Sequence, residues 1–547
     1  MPSFRPIGLF MGAFLMAGAL AGCDRAPRQA AEEGPSEAAA PARKIITIAN
    51  GAEPSSLDPQ RTNLVADRRV VGSLFAGLVE VDGAGNLIPG IAQSWDVSED
   101  GKVYVFTLRQ ARWSDGAPIT AQDFVFSFRR LLAPATQSPF AAYYFVLRNG
   151  KAVHDGTMLP DSLGVEALSA HILRLTLEQP MPALMGLLSH QSALPVPRHV
   201  VGRFGAAWTE LRHLVVSGPF RLVEWQAGVR LELARNPLFY DADSLALDGV
   251  VFLPGEDMAL TLRAFDEGEV DIVEGLPADS VARYRRARGE AVRIEPYWAL
   301  YWYVFNTARP PFDDVRVRRA LAMAVDRQHI VEQALGAGGV PATGIVPPSM
   351  PSYGPPMAPA WAELSLAARR AEAKRLLEDA GYGSGHALSV TISYNPSPDH
   401  DRVFAAVAAD WRALGVTVSA HVASFREHVQ ALEAGDFEVA RRTWVTSFDM
   451  PEYFLGLFVS SAGSLNVGRY ANPAVDALYA QALETADLAT RTRLLKAAEA
   501  ILLDDAVAVT IYNDVNRTLV GPRVIGWTNN PTGRHPLRFL DLAPGQD

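Results

Sequence analysis

The chain has 547 residues, 49% hydrophobic and 20% charged, with a formal net charge of −10. That length holds two or three domains with sizeable cores, and the composition rules out a disordered polymer or a bundle of membrane spans. Acids and bases are interspersed under a negative balance, which argues against nucleic acid or other polyanions as partners.

The N-terminus reads as an address. Arg5 gives a positive start, residues 7–20 form an apolar run, and Leu20-Ala21-Gly22-Cys23 closes it with small residues. The run falls short of the ~20 residues of a comfortable membrane span. It resembles the lipobox of bacterial lipoproteins, which implies a signal peptide over residues 1–22 and lipid on the sulfur and amine of Cys23. An ordinary secretory peptide is the weaker alternative, because Cys23 is the sole cysteine of the chain. A lone cysteine makes no internal disulfide, so an oxidising compartment leaves no mark here. The resemblance implies a periplasmic body held to a membrane by acyl chains alone, and Asp24 resembles an inner-membrane retention signal. Residues 23–43, rich in Ala, Pro, Glu, Gln and Ser without apolar periodicity, read as a flexible tether.

The folded body is predicted to begin with a strand over residues 44–49, a turn-rich loop over 53–59 and a helix over 70–78. Gly83-Ala84-Gly85 lacks the third glycine of a dinucleotide loop and reads as a hairpin turn. In the strand 103–109, Tyr104, Phe106 and Leu108 alternate onto one face. Thr120 opens a helix that Asp123 helps to cap, with Phe124, Val125, Phe128, Leu131 and Leu132 on one side. Asp314 is a plausible cap for a helix whose apolar face includes Val317, Ala320, Leu321, Ala324, Val331 and Leu335, with Gly336 past its end. Asn472-Pro473 starts another helix, and residues 489–503 form one more. Short apolar strands at 250–253, 388–394 and 507–512 lie between helices, the pattern of α/β lobes.

Residues 436–455 organise the functional reading. They begin as a strand with Arg441 and Arg442 set into it, pass Trp444, and loosen into a polar loop ending at Pro451. Such a stretch suits an exposed sheet edge, whose free N–H and C=O groups accept an extended peptide as an added strand. An ordinary core strand with a solvated turn is the competing reading. Catalytic spacings are missing: there is no Gly-x-Ser-x-Gly, Ser-x-x-Lys, phosphate loop or His-Glu-x-x-His, and the 11 histidines show no metal-ligand clustering. No cofactor and no metal are expected.

Further motifs recur in order: Ile91-Ala-Gln-Ser-Trp95, Trp113-Ser-Asp-Gly116, Ser217-Gly-Pro-Phe-Arg-Leu-Val-Glu-Trp225, Ala234-Arg-Asn-Pro-Leu-Phe-Tyr240, Gly268-Glu-Val-Asp-Ile272, Phe312-Asp-Asp-Val-Arg-Val-Arg-Arg-Ala-Leu321 and Ala380-Gly-Tyr382. Together they resemble family 5 of the bacterial extracellular solute-binding proteins, which serve oligopeptide, dipeptide and nickel ABC importers. The likeness covers everything after the tether. It implies an α/β, two-lobed periplasmic-binding-protein fold (type II, cluster C) with a hinge and an extra inserted domain. Lobe I is then residues 44–75, 200–300 and 514–547, the inserted domain 76–199 and lobe III 301–513, with hinge crossings near 297–300 and 514–516.

The resemblance also implies a site. Peptide-pairing segments correspond to Asn63, Leu64 and Val65 and to Thr443, Trp444 and Val445. Arg441 and His400 stand where relatives meet the ligand carboxylate, although a structural ion pair is an alternative for Arg441. Phe140, Phe425 and Trp444 are pocket walls or core. No lysine lies near residues 333–335, which disfavours very short peptides. The departure is Ser447, where relatives carry the aspartate that pairs with the ligand's α-amine. Asp449 and Asp514 are candidate substitute acids; for either, an exposed turn residue is the alternative, and for Asp449 it is the stronger one. The implied function is a lipid-anchored receptor, expected to be a monomer without enzymatic activity, that hands oligopeptides to an inner-membrane ABC permease with its ATPase subunits. N-blocked or modified peptides, cell-wall fragments and a non-peptide solute are alternative ligands. A secreted hydrolase and a sensory lipoprotein are the rival classes.

Overall fold

A computed structural model describes residues 43–62, 64–383 and 385–544. The predicted signal peptide, Cys23, the tether up to residue 42 and Asn63 lie outside the described residues. Two long strands, Val292–Phe305 and Ala508–Val520, run antiparallel through the middle of an 11-stranded sheet and belong to both of its halves. Their ladder extends from Val292↔Leu519 to Pro296↔Val515, breaks, and resumes at Leu300↔Asn513.

On one side of that break, Ile45–Ala49 pairs in parallel with Gly249–Leu253 and Ile272–Glu274, and the hairpin of Phe220–Gln226 with Arg230–Arg235 extends the sheet. On the other side, Val292–Phe305 pairs with Val439–Val445, followed by Ser389–Tyr394 and the edge strand Thr417–Val422. Side chains alternate along the second part of Val292–Phe305. Tyr301, Tyr303 and Phe305 pack with the helices Val315–Ala324 and Pro398–Arg412, whereas Leu300, Trp302 and Val304 pack with Pro473–Glu484 and Leu488–Asp504. Burial on both faces is why this stretch is apolar at nearly every position.

A separate four-stranded sheet is ordered Ala92–Val97, Val103–Leu108, Ile172–Thr176, Val165–Ser169. It carries the helix Ala121–Leu132, where the Asp123 carboxylate accepts from the Thr120 N–H at 2.9 Å and from its hydroxyl at 3.1 Å. Phe124, Val125, Phe128, Leu131 and Leu132 are all buried, as the spacing predicts. Phe106, Phe124 and Leu131 belong to the same apolar cluster as Ile46, Val70 and Val250, so this sheet shares a core with the first half.

Two helices depart from the sequence reading. The first runs Val65–Leu74 rather than over 70–78. Its start is fixed by Asp67, which accepts from Leu64 N at 3.2 Å and Ser55 N at 2.7 Å. Its end is fixed where Gly218 N donates to Leu74 O at 2.8 Å, an approach so close that a Cβ on Gly218 would lie 2.6 Å from the Leu74 carbonyl carbon. The helix beginning at Asp314 stops at Ala324, and a further turn leads into the π-helical stretch Ile330–Leu335. The buried Arg327 guanidinium bonds the carbonyls of Ala322, Val325, Ala342 and Thr510, and Asp326 caps the new turn through His329 N at 3.0 Å. These tertiary bonds satisfy the backbone groups that the break exposes.

Candidate functional site

The strand Val439–Val445 is paired along its whole length on one side, from Phe305↔Val439 to Ala299↔Val445. On its other side, among the described residues, only Val439 and Ala440 are paired, with Ile392 and Ser393. In an antiparallel ladder, alternate residues direct their N–H and C=O to opposite edges. Asn306 N donates to Glu438 O at 3.0 Å and Thr446 N to Trp298 O at 3.0 Å, so the even-numbered residues face the long central strand. Arg441, Thr443 and Val445 therefore direct their main-chain groups outward. His428 Nε2 bonds the Arg441 carbonyl at 2.9 Å, leaving Thr443 and Val445 as the open edge. The run from Arg441 to Val445 spans ~13 Å at ~3.3 Å per residue, room for three or four ligand residues.

Side-chain alternation divides the same strand. Arg441 lies over the Tyr301 ring at 5.4 Å, with Nη1 donating to Asn395 Oδ1 at 3.2 Å and Nη2 to Thr443 Oγ1 at 2.9 Å. Its buried Nε has no partner among the described residues. His400 bonds Asn395 O through Nδ1 at 2.8 Å, and its ring is 5.7 Å from Tyr301. Burial holds the His400 pKa below the usual imidazole range, and Arg441 adds to that effect. Asp514 shares this neighbourhood. Burial raises its carboxyl, and Arg517, Asp399 and Arg441 are the charges that act on it. Asp399 in turn lines a crevice of about 390 Å³ bounded by Arg69, Glu274, Ser397, Arg402 and Arg517, residues from both halves of the sheet.

On the opposite face, Trp444 packs on Tyr453 at 5.2 Å, and Tyr453 meets Tyr143 of the inserted region at 5.5 Å with their hydroxyls hydrogen-bonded. Phe140 extends the aromatic row, 5.7 Å from Tyr143 and 4.6 Å from the His190 ring. Ser447 and Asp449 line a second cavity of about 350 Å³ together with Ser189, Trp298, Glu452 and Arg491. Asp449 accepts from Ser352 N at 2.8 Å and Ser352 Oγ at 2.6 Å, so both its oxygens are taken. Ser447 Oγ accepts from Arg68 Nη1 at 2.8 Å. Leu64 and Val65 are exposed at the start of the first helix, and Leu64 gives its N–H to Asp67. Phe425 is 65% exposed at the start of the helix Phe425–Ala434, apart from the aromatic row.

Residues 86–466 match the family model of bacterial extracellular solute-binding proteins, family 5 middle. The chain belongs to this family. It is 34% identical over 501 residues to the periplasmic oligopeptide-binding protein OppA of Escherichia coli, covering 90% of this chain and 91% of that one. It is also 34% identical over 496 residues to the probable deoxycholate-binding periplasmic protein YgiS of the same organism, covering 89% and 92%. Among solved structures, the complex of Haemophilus influenzae OppA with the peptide RPPGFSPFR superposes with a TM-score of 0.76 at 33% identity, over 92% of this chain and 99% of that one. The α/β architecture is thus the family's two-lobed periplasmic-binding-protein fold.

Sequence reasoning missed Arg68, Tyr143, His190, Tyr453 and Arg534. The Arg68-Arg69 doublet was the one available hint, and a charge pair in a helix ordinarily signals only a solvated face. Among the described residues, no helix is long and apolar enough to cross a membrane, and no group of three or more His, Cys, Asp or Glu is placed to hold a metal.

Proposed function

We propose that this family 5 protein captures extended oligopeptides between its lobes and hands them to an inner-membrane ABC permease driven by separate ATPase subunits. The observation that carries this reading is the unpaired outer edge at Thr443 and Val445, flanked by the Arg441 fork. Main-chain pairing binds a peptide whatever its sequence, and a planar guanidinium matches a terminal carboxylate. Descent alone does not select the ligand, because relatives named for oligopeptide and for deoxycholate are equally identical to this chain. The strand edge is what favours a peptide.

The domain bounds predicted above define the moving parts, with the ladder break between Pro296 and Leu300 as the hinge. A ligand that touches both lobes binds the closed form better and so shifts the population towards it. The protein performs no chemistry itself. It works in the periplasm as a monomer, tethered by lipid on Cys23.

Incubation with a mixed peptide library followed by native mass spectrometry is expected to retain peptides, released intact. Retention of a non-peptide solute with no peptide overturns the assignment, and turnover of the library overturns the receptor role. Cys23→Ser is expected to move the protein from the membrane fraction to the soluble fraction.

A further inference from the structure

The hydroxyl of Ser447 is held by a cation. Arg68 Nη1 donates to it at 2.8 Å, and a second guanidinium, Arg534, donates through Nη1 to Ser189 Oγ at 2.9 Å. Ser189 lines both the 350 Å³ cavity that contains Ser447 and a neighbouring cavity of about 110 Å³ lined by Arg68 and Arg534. The Arg68 charge acts on Arg534. Burial lowers the Arg534 pKa to about 10, and Arg68 is the next cause. His190 also belongs to this cluster: burial, then Arg534 and Arg68, push its pKa down to about 3.

The nearby acids are already committed. Glu274 pairs with Arg69 at 3.0 Å. Glu80 pairs with Arg538 at 3.2 Å and accepts from the Tyr240 hydroxyl at 3.2 Å. Glu295 accepts from Trp527 Nε1 and His535 Nε2, each at 2.9 Å. Among the described residues neither Arg68 nor Arg534 forms an ion pair, and Glu80, the acid that acts on Arg534, is shared with Arg538. A buried Arg534 guanidinium with Arg68 on the lining of the same cavity repels an ammonium and matches a carboxylate.

Resting on the peptide reading above, we propose that the subsite formed by Arg68, Arg534 and Ser447 binds a carboxylate of the ligand, in the place where a free α-amine would require an acid. Two sources supply that group: an acidic acyl cap on the ligand's amino end, or the C-terminal carboxylate of a peptide lying in the opposite direction. Either makes Ser447 intelligible. An aspartate there would neutralise Arg68 and close the subsite to anions.

The test is calorimetry with one alanine-rich pentapeptide in free-amine, N-acetyl and N-succinyl forms, each as C-terminal acid and amide. With an acyl cap as the source, the succinyl form binds at least ten-fold more tightly than the free amine, and Arg68→Gln or Arg534→Gln abolishes the gain. With a reversed peptide, succinylation brings no gain, but C-amidation weakens binding and Arg68→Gln removes that sensitivity whereas Arg441→Gln does not. The comparison of ligand forms on the native protein needs no variant, and thermal melts verify that each variant is folded. Free-amine binding equal to or tighter than succinyl binding, with Arg68→Gln leaving sensitivity to C-amidation intact, overturns the proposal while leaving the peptide reading standing. Failure of every form to bind overturns both.

Discussion

Arg68 in the helix Val65–Leu74 donates to Ser447 in the loop that follows the strand Val439–Val445, across 379 positions of sequence. The bond lies at one end of the open strand edge, where a neutral hydroxyl leaves the guanidinium charge uncancelled. Ser447→Asp would place a carboxylate against that guanidinium, and charge-assisted pairing is roughly twice as strong as the bond it replaces. The expected outcome in calorimetry is a loss of about ten-fold in affinity for the N-succinyl pentapeptide, about 1.4 kcal/mol. The free-amine form should gain.

In the proposed complex Arg441 meets the other end of the ligand. Its buried Nε lacks a protein partner among the described residues, and both its terminal nitrogens are held by neutral oxygens. A ligand carboxylate would add charge-assisted bonds worth about 1.5–3 kcal/mol. Arg441→Ala should therefore weaken binding of a peptide acid by roughly 10- to 100-fold. The matching C-terminal amide should lose little, and calorimetry on the pair separates this role from a structural one.

Where the sequence was legible, the signal was local. Tyr104, Phe106 and Leu108 alternate within six residues of strand, Thr120 and Asp123 cap a single turn, and Asp314 and Asn472 accept from N–H groups two positions on. The break after Ala324 was not legible, because Arg327 is satisfied by the carbonyl of Thr510, 183 positions away. The cationic subsite was hidden in the same manner. Ser447 marks a missing acid, but nothing near it in sequence names Arg68 or Arg534 as neighbours, and nothing near Trp444 names Tyr143.

His190 should make the fold acid-sensitive. It faces Arg68 and Arg534 and is ringed by Phe140, Tyr143 and Phe448, so the native state keeps it neutral with a pKa of about 3. The unfolded chain takes up that proton near the ordinary imidazole value of about 6.5 and so binds more protons below it. Stability is then fully present above about pH 6.5 and falls as the pH drops towards 3, by up to about 1.4 kcal/mol per unit. His190→Asn keeps an acceptor for Ser192 N but cannot titrate. Urea melts at pH 7, 5.5 and 4 should show the variant losing less stability than the native protein, and equal losses would refute the assignment.

Approach of the helix Leu184–Leu188 to the Phe448 loop depends on an absent side chain. A Cβ on Gly186 would meet Phe448 Cβ at 2.9 Å, a contact near the main chain that no rotamer change relieves. Gly186→Ala should push the Phe448 loop away and disfavour closure, since packed interfaces do not deform continuously. Small-angle scattering with saturating peptide should report a larger radius of gyration than for the native complex, and affinity should fall several-fold. Unchanged scattering and affinity would mean that this contact plays no part in closure.

A buried ion pair stands behind the second cavity. Arg491 and Glu452 are 3% and 4% exposed, and they pair directly on the wall that also carries Ser447 and Asp449. Arg491 Nη1 additionally donates to Ala482 O at 3.0 Å, tying two helices of lobe III to the loop. Arg491→Met removes one partner and strands a buried carboxylate, which costs about 3–5 kcal/mol. Replacing both, as Arg491→Met with Glu452→Leu, removes the stranded charge and should recover most of the loss, because a buried pair is worth little against apolar residues of similar volume. Urea denaturation of the two variants tests this directly. A double variant no more stable than the single one would mean that the Ala482 carbonyl, rather than the carboxylate, is what Arg491 serves.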